Sequence, residues 1–363
     1  MNTGLGLRFF ILYSSFVFNC VNLVESMITC SDFTQSLIGY MMYKLRSRDL
    51  ITAPVSLFIA TNSHPDPYQV DINNLVAILS TIDFNPREKT FIITHGYRSG
   101  SDRKWVSDLK NGILKVRRGN VILVDWSLSS NKKNYVDSVH GIQDASQQVY
   151  KFLQKMIDKV KSLGHSSGDI KWNHLHFLGH SLGAHLSGQV AHLLKSNQFW
   201  RVERITGFDP ANPCFKDIDL NLKLDAGDAE LVDIIHTQSG LGTEYNFGLR
   251  QKLGHIDFWV NGGLEQPNCS GKGLLGELDM RICNHRMSYQ YFIDSLDNTY
   301  YGGCQYSSYK WDGTYRDAKY IINSAREGTF CSECPTLGLD LTRPNQNGDY
   351  MVITGSQAPY CSK

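Results

Sequence analysis

The feature that most constrains this 363-residue chain is the pentapeptide Gly179-His180-Ser181-Leu182-Gly183 and its surroundings. A strand-like apolar run, residues 174–178, leads into it. Behind it Leu182, Leu186, Val190, Leu193 and Leu194 recur at helical spacing. In strand-turn-helix context, a Gly-x-Ser-x-Gly sequence lifts a serine hydroxyl clear of a sheet. The two glycines let the turn tighten and let the helix approach the strand. Unmatched N–H groups and the dipole at the helix start favour an anion beside the hydroxyl.

The rest of the chain suits such a turn. Short β-branched runs at residues 55–60, 90–94, 121–125, 174–178, 204–208 and 231–236 read as strands. Between the third and fourth, Ile142, Ala145, Val149, Phe152, Met156 and Val160 form the buried stripe of a helix. This alternation predicts a mainly parallel sheet covered by helices on both sides, an α/β class fold. From about residue 297 tyrosines, glycines and cysteines replace the pattern, which predicts a disulfide-pinned β extension on the same single domain.

A serine hydroxyl is a poor nucleophile until a base takes its proton and an acid orients that base. On a sheet of this kind the expected chain order is serine, acid, histidine. Asp209 follows the run 204–208 where Pro210 and Pro213 stop a strand, so it is the preferred acid; Asp233 lies inside a strand. His236, His255 and His285 are the candidate bases. His285 is favoured because it follows Cys283 and precedes a helical segment, residues 287–296, in a loop that a disulfide would fix.

With 36 basic and 35 acidic residues the chain has no field to recruit nucleic acid. Arg8 and the ten-residue run FFILYSSFVF read as an export signal, with cleavage expected after Ser26 and residues 27–363 as the mature secreted, extracellular chain. Cys20 leaves with the signal. The remaining eight cysteines suit an oxidising compartment, and their 105 pairings leave connectivity open. Cys331 and Cys334 resemble half a zinc site, but no second close pair follows.

Taken together, Gly179-His180-Ser181-Leu182-Gly183-Ala184-His185, Gly207-Phe208-Asp209-Pro210-Ala211 and Cys283-Asn284-His285-Arg286 resemble the pancreatic lipase family, whose fold is the α/β-hydrolase fold. Residues 232–237, Gly254-His255-Ile256-Asp257-Phe258 and Asn261-Gly262-Gly263 resemble it too, so the likeness covers roughly residues 50 to 300. It implies a triad of Ser181, Asp209 and His285, with His236 and His255 structural. Thr94-His95-Gly96-Tyr97 resembles the family's turn that supplies an oxyanion donor. The backbone N–H groups of Tyr97 and Leu182 are then expected to form the oxyanion hole.

The resemblance implies carboxylic-ester hydrolysis of lipid at a membrane or emulsion surface, needing no cofactor for its chemistry. It also implies a structural calcium whose acidic ligands fall on Asp225 and Asp228. The family's lid is a disulfide loop before the histidine; here Cys269 to Cys283 encloses 13 residues, short as in the secreted phospholipase A1 branch. Only 78 residues follow His285, so no C-terminal lipid-docking domain of the PLAT type and no colipase-type partner are expected. The expected substrate is therefore the sn-1 ester of a phospholipid, with tri- or diacylglycerol as the alternative and a catalytically silent yolk or lipid-binding relative as a second. The loop 238–253, longer than in those phospholipases, points the other way.

Overall fold

Strands that alternate Phe91, Ile93 with Thr90, Ile92 send side chains to opposite faces, and in this chain both faces are covered. The computed structural model describes residues 30, 53–162, 164, 175–195, 202–240, 246–269, 276–329, 331–341 and 347–361. The expected signal, residues 1–26, lies outside them.

The strands are β1 (Ser56–Thr61), β2 (Tyr68–Gln69), β3 (Thr90–Thr94), β4 (Asn120–Asp125), β5 (Leu175–His180), β6 (Val202–Phe208), β7 (Leu231–His236), β8 (Ile256–Val260), β9 (Ser308–Lys310) and β10 (Gly348–Val352). They join one sheet in the order β2-β1-β4-β3-β5-β6-β7-β8-β10-β9. From β4 to β10 all neighbours run parallel; β1 pairs antiparallel with β2 and β4, and β9 with β10. Strands β3, β5, β7 and β8 are buried along their whole length, as parallel strands between two helical layers must be.

Besides the single turn Ser127–Ser130, the α-helices among the described residues are α1 (Leu75–Thr81), α2 (Lys104–Val116), α3 (Tyr135–Ser162), α4 (Leu182–Lys195), α5 (Glu277–Tyr301) and α6 (Tyr315–Arg326). Helices α1, α3 and α4 cover one face, where Ile142, Val149 and Met156 meet Ile92, Phe177 and Ile205. Helices α2 and α5 cover the other, where Ile113 and Phe292 meet Phe91, Leu178 and Phe258. All six residues of the predicted α3 stripe are buried.

One expectation needs correction. Helix α5 begins at Glu277, well before residue 287, so His285 stands within a helix and not in a loop. Its early turns carry no apolar stripe because polar groups with partners take the buried positions: Asn284 accepts from the Gln266 N–H at 2.9 Å and Ser288 donates to the His285 carbonyl at 2.9 Å. The expected C-terminal β extension is present as β9 and β10, which prolong the central sheet beyond β8 with α6 between them. Eight cysteines pair as Cys30–Cys214, Cys269–Cys283, Cys304–Cys361 and Cys331–Cys334, the last in place of any zinc half-site.

Candidate active site

Ser181 sits between β5 and α4 with φ of +56°, a left-handed conformation that costs a non-glycine residue of order 1–3 kcal/mol and persists only where neighbours enforce it. The enforcement is visible. A Cβ on Gly179 would lie 2.5 Å from the Gly183 carbonyl oxygen, and one on Gly183 2.4 Å from that of Thr94. Helix α4 therefore rests directly on the ends of β5 and β3, and Ser181 N–H donates to the Phe208 carbonyl at 3.0 Å.

Because His180 pairs with Phe208 across β5 and β6, Ser181 and Asp209 leave adjacent strands side by side. Asp209 is also left-handed, φ +43°, and fully buried. Its Oδ1 accepts from Ser239 Oγ at 2.8 Å, Thr237 N–H at 3.0 Å and Gln238 N–H at 3.2 Å. Its Oδ2 accepts from His285 Nδ1 at 2.6 Å. A carboxylate can only accept, so His285 holds its proton on Nδ1 and offers Nε2 as a base.

Helix α5 delivers His285 to this position, and the Cys269–Cys283 disulfide anchors that helix two residues earlier. The His285 ring lies 4.5 Å from that of His180 and 5.7 Å from Phe247. His180 donates from Nε2 to the His285 carbonyl at 3.3 Å. Burial first, then the neighbouring His285 and Arg286 charges, hold His180 well below the usual histidine range, so it stays neutral beside the base.

The Thr94–Tyr97 turn abuts the serine. A Cβ on Gly96 would fall 2.8 Å from both Ser181 Cβ and the His180 carbonyl oxygen. Trp126 fixes the turn, donating from Nε1 to the His95 carbonyl at 2.7 Å and from its backbone N–H to His95 Nε2 at 3.2 Å. Leu182 is the first residue of α4, so no carbonyl of that helix takes its N–H. Tyr97 is packed edge-on to Tyr135 at 5.1 Å and donates from its hydroxyl to the Lys132 carbonyl at 3.1 Å.

The other candidates serve the frame. Asp233 forms a buried ion pair with Arg204 at 2.7 Å. His255 accepts the Val232 N–H at 3.0 Å on Nδ1. His236 stacks on Trp259 at 3.9 Å, with Nε2 2.8 Å from Asp257 Oδ1 and Nδ1 3.3 Å from Ser239 Oγ. Ser239 was not among the sequence candidates; its signal is that it follows the exit of β7, the neighbour of the strand that carries Asp209.

Asp225 and Asp228 lie apart from this cluster, the first capping and the second ending a short 3-10 turn under α4. Gly227 N–H donates to Asp225 Oδ1 at 2.6 Å and Asp225 N–H to Asp228 Oδ2 at 3.0 Å. Asp228 is buried, which pushes its carboxyl up to about 8. Two close carboxylates, one poorly neutralised, are oxygen donors of the kind calcium takes. They would hold one side of such an ion, although no group of three or more acidic, histidine or cysteine residues gathers there among the described residues.

Comparison with known proteins follows the same line. The family model named Lipase matches residues 25–360. The chain is 33% identical over 270 residues to pancreatic lipase-related protein 2 of Myocastor coypus, covering 70% of this chain and 55% of that one. It is 33% identical over 272 residues to the pancreatic triacylglycerol lipase of the same animal, 71% and 56% covered, and 34% identical over 253 residues to that of Sus scrofa, 66% and 52% covered. The chain thus spans about half the length of the curated relatives it matches. Among solved structures, the carboxylesterase EstE1 aligns at 12% identity over 54% of each chain with a TM-score of 0.26. An α/β-hydrolase sheet with its serine turn, and a family match over nearly its whole length, make this chain a member of the lipase family.

Proposed function

We propose that the protein is a secreted serine hydrolase of lipid carboxylic esters, with the sn-1 ester of phospholipids as its substrate. The observation that carries the reading is the 2.6 Å contact of Asp209 with His285, beside a serine held at φ +56°. Ser181 attacks the ester carbonyl while His285 takes its proton on Nε2. Asp209 keeps the imidazole in that tautomer and offsets the positive charge it gains. The Tyr97 and Leu182 N–H groups bind the oxyanion, each donor worth about 10²–10³ in rate. His285 passes that proton to the leaving alcohol as the ester C–O bond breaks and the acyl-serine forms. It then takes a proton from the attacking water and returns it to Ser181 Oγ as the fatty acid is released.

The short Cys269–Cys283 loop supports a phospholipid, because a small lid leaves room for a polar headgroup. Leu278 stands half-buried in it; Leu274 and Leu275 lie outside the described residues. A second reading, a triacylglycerol lipase, is favoured by the names of the relatives. Four disulfides suit an exported chain, and no helix among the described residues is long and apolar enough to cross a membrane. Asp225 and Asp228 are assigned to a structural calcium that would brace the turn beneath α4.

The test has two parts. A fluorophosphonate should label the wild type and not Ser181→Ala; a labelled mutant removes Ser181 from its role, and an unlabelled wild type would mean a silent relative. Fatty acid release from phosphatidylcholine with distinguishable chains, run beside triolein, then decides the substrate. Faster release from triolein would sink the phospholipase reading.

A further inference from the structure

A cavity of about 630 Å³ opens beside the elbow, walled in part by Tyr97, His180, Trp105 and Tyr289. Tyr97 carries a proposed oxyanion donor and His180 immediately precedes Ser181, so the cavity adjoins the reacting centre. Trp105 stacks on Tyr289 at 4.5 Å, and both rings lean on His180, at 5.9 and 4.9 Å. The wall between cavity and base is therefore rigid and aromatic.

Its charge is lopsided in a chain whose net charge is only +1. Arg98, Arg103, Lys104 and Arg286 line it against one carboxylate, Asp108. Lys104 takes that carboxylate at 2.7 Å, which leaves three guanidinium groups with no acid among the lining residues. They come from three separate segments: the turn after Tyr97, the start of α2, and α5 directly after His285. Arg98 is held 5.3 Å above the Tyr97 ring, and Arg103 reaches outward to Asp102 at 3.9 Å. A planar guanidinium matches phosphate oxygens two at a time, and several round one cavity select an anion of that shape. The neutral glycerides lack any such group.

We infer that this cavity receives the phosphate of the lipid headgroup while the ester, one glycerol unit away, lies at Ser181. The inference rests on the phospholipid reading above and assigns the part of the chain that recognises the headgroup.

The test uses monomeric short-chain substrates, so that surface binding plays no part. Dihexanoyl phosphatidylcholine below its micelle concentration is compared with dihexanoylglycerol, for the full chain, Arg98→Gln/Arg103→Gln and Arg286→Gln. The expected result is a KM for the phospholipid raised about tenfold per lost contact with kcat held within about twofold. Kinetics on the diacylglycerol stay unchanged for Arg98→Gln/Arg103→Gln, and Arg286→Gln, next to the base, is read by its loss on the phospholipid relative to the diacylglycerol. Arg103→Lys should keep part of the phospholipid affinity. Equal losses on both substrates, or no loss on the phospholipid, overturn the inference and leave the phospholipase reading intact. The same variants are also assayed on anionic vesicles, and a loss confined to the vesicles overturns the inference as well, because the arginines then meet the phosphates of the surface and not that of the substrate. A wild type that cleaves only the diacylglycerol overturns both readings together.

Discussion

Ser239 Oγ stands 2.8 Å from Asp209 Oδ1, the oxygen of that carboxylate that His285 does not use. Asp209 thus divides its two oxygens: one is locked by Ser239 and the N–H groups of Thr237 and Gln238, and the other is left to the imidazole. A buried carboxylate without those donors would be free to rotate. Ser239→Ala leaves the two backbone donors, so kcat should fall by about tenfold, the worth of one hydrogen bond to a charged group, with KM unchanged. Steady-state kinetics on a soluble ester checks it. An unaltered kcat would mean the backbone donors suffice.

Asp209 and Asp233 differ in what they hold, and the two asparagine variants should separate them. Asp209→Asn presents an amide to His285 and inverts its tautomer, so kcat should drop about 10⁴-fold in a protein that still folds. Asp233→Asn leaves Arg204 buried with an uncompensated charge. It should cost about 3–5 kcal/mol of stability while activity per folded molecule persists. Denaturant titration beside kinetics distinguishes them, and the reverse pattern would exchange their roles.

Where the chain speaks through apolar pattern, the sequence was legible. Residues 90–94 and 231–236 are strands as read, and the others agree within one or two residues, because a parallel strand between two helical layers is a continuous β-branched run. Asp209 and Ser181 were legible by the same means, since both follow such a run. The illegible parts are those held by polar contacts. Helix α5 hides its first turns behind Asn284 and Ser288, and α6 buries little besides Ile321. Strand β10 was unread because its partner β8 lies some ninety residues away. Asp257 reaches His236 only through folding, and Ser239 shows itself only by following the exit of β7.

Asp228 makes stability depend on pH in a stated direction. Burial, opposed by the hydrogen bond from Asp225 N–H, raises its carboxyl from 3.8 to about 8. The folded chain therefore keeps a proton that the unfolded chain has lost. That contribution is fully present below about pH 4 and is lost as pH rises through 8, a loss on the order of a few kcal/mol. A calcium ion held by Asp225 and Asp228 would displace the proton and remove the dependence. Melting temperature in chelator should accordingly fall from pH 5 to pH 8, and excess calcium should restore it. Asp228→Asn should flatten the profile and abolish the response. A melting temperature indifferent to calcium at pH 8 would count against the ion.

Gly96 is the tightest point of the proposed oxyanion turn. An added methyl would lie 2.8 Å from Ser181 Cβ and from the His180 carbonyl oxygen. Neither neighbour can yield: Ser181 is pinned by the elbow, and the His180 carbonyl belongs to β5 at the centre of the sheet. The turn must therefore move, and the Tyr97 N–H with it. Gly96→Ala should lose at least about 10² in kcat, the cost of one misplaced oxyanion donor. The clash itself should cost about 1–3 kcal/mol of stability, which leaves the protein folded and the loss measurable. Because Ser181, His285 and Asp209 are untouched, slow labelling of the variant by a fluorophosphonate should persist. Full activity in Gly96→Ala would place the oxyanion elsewhere.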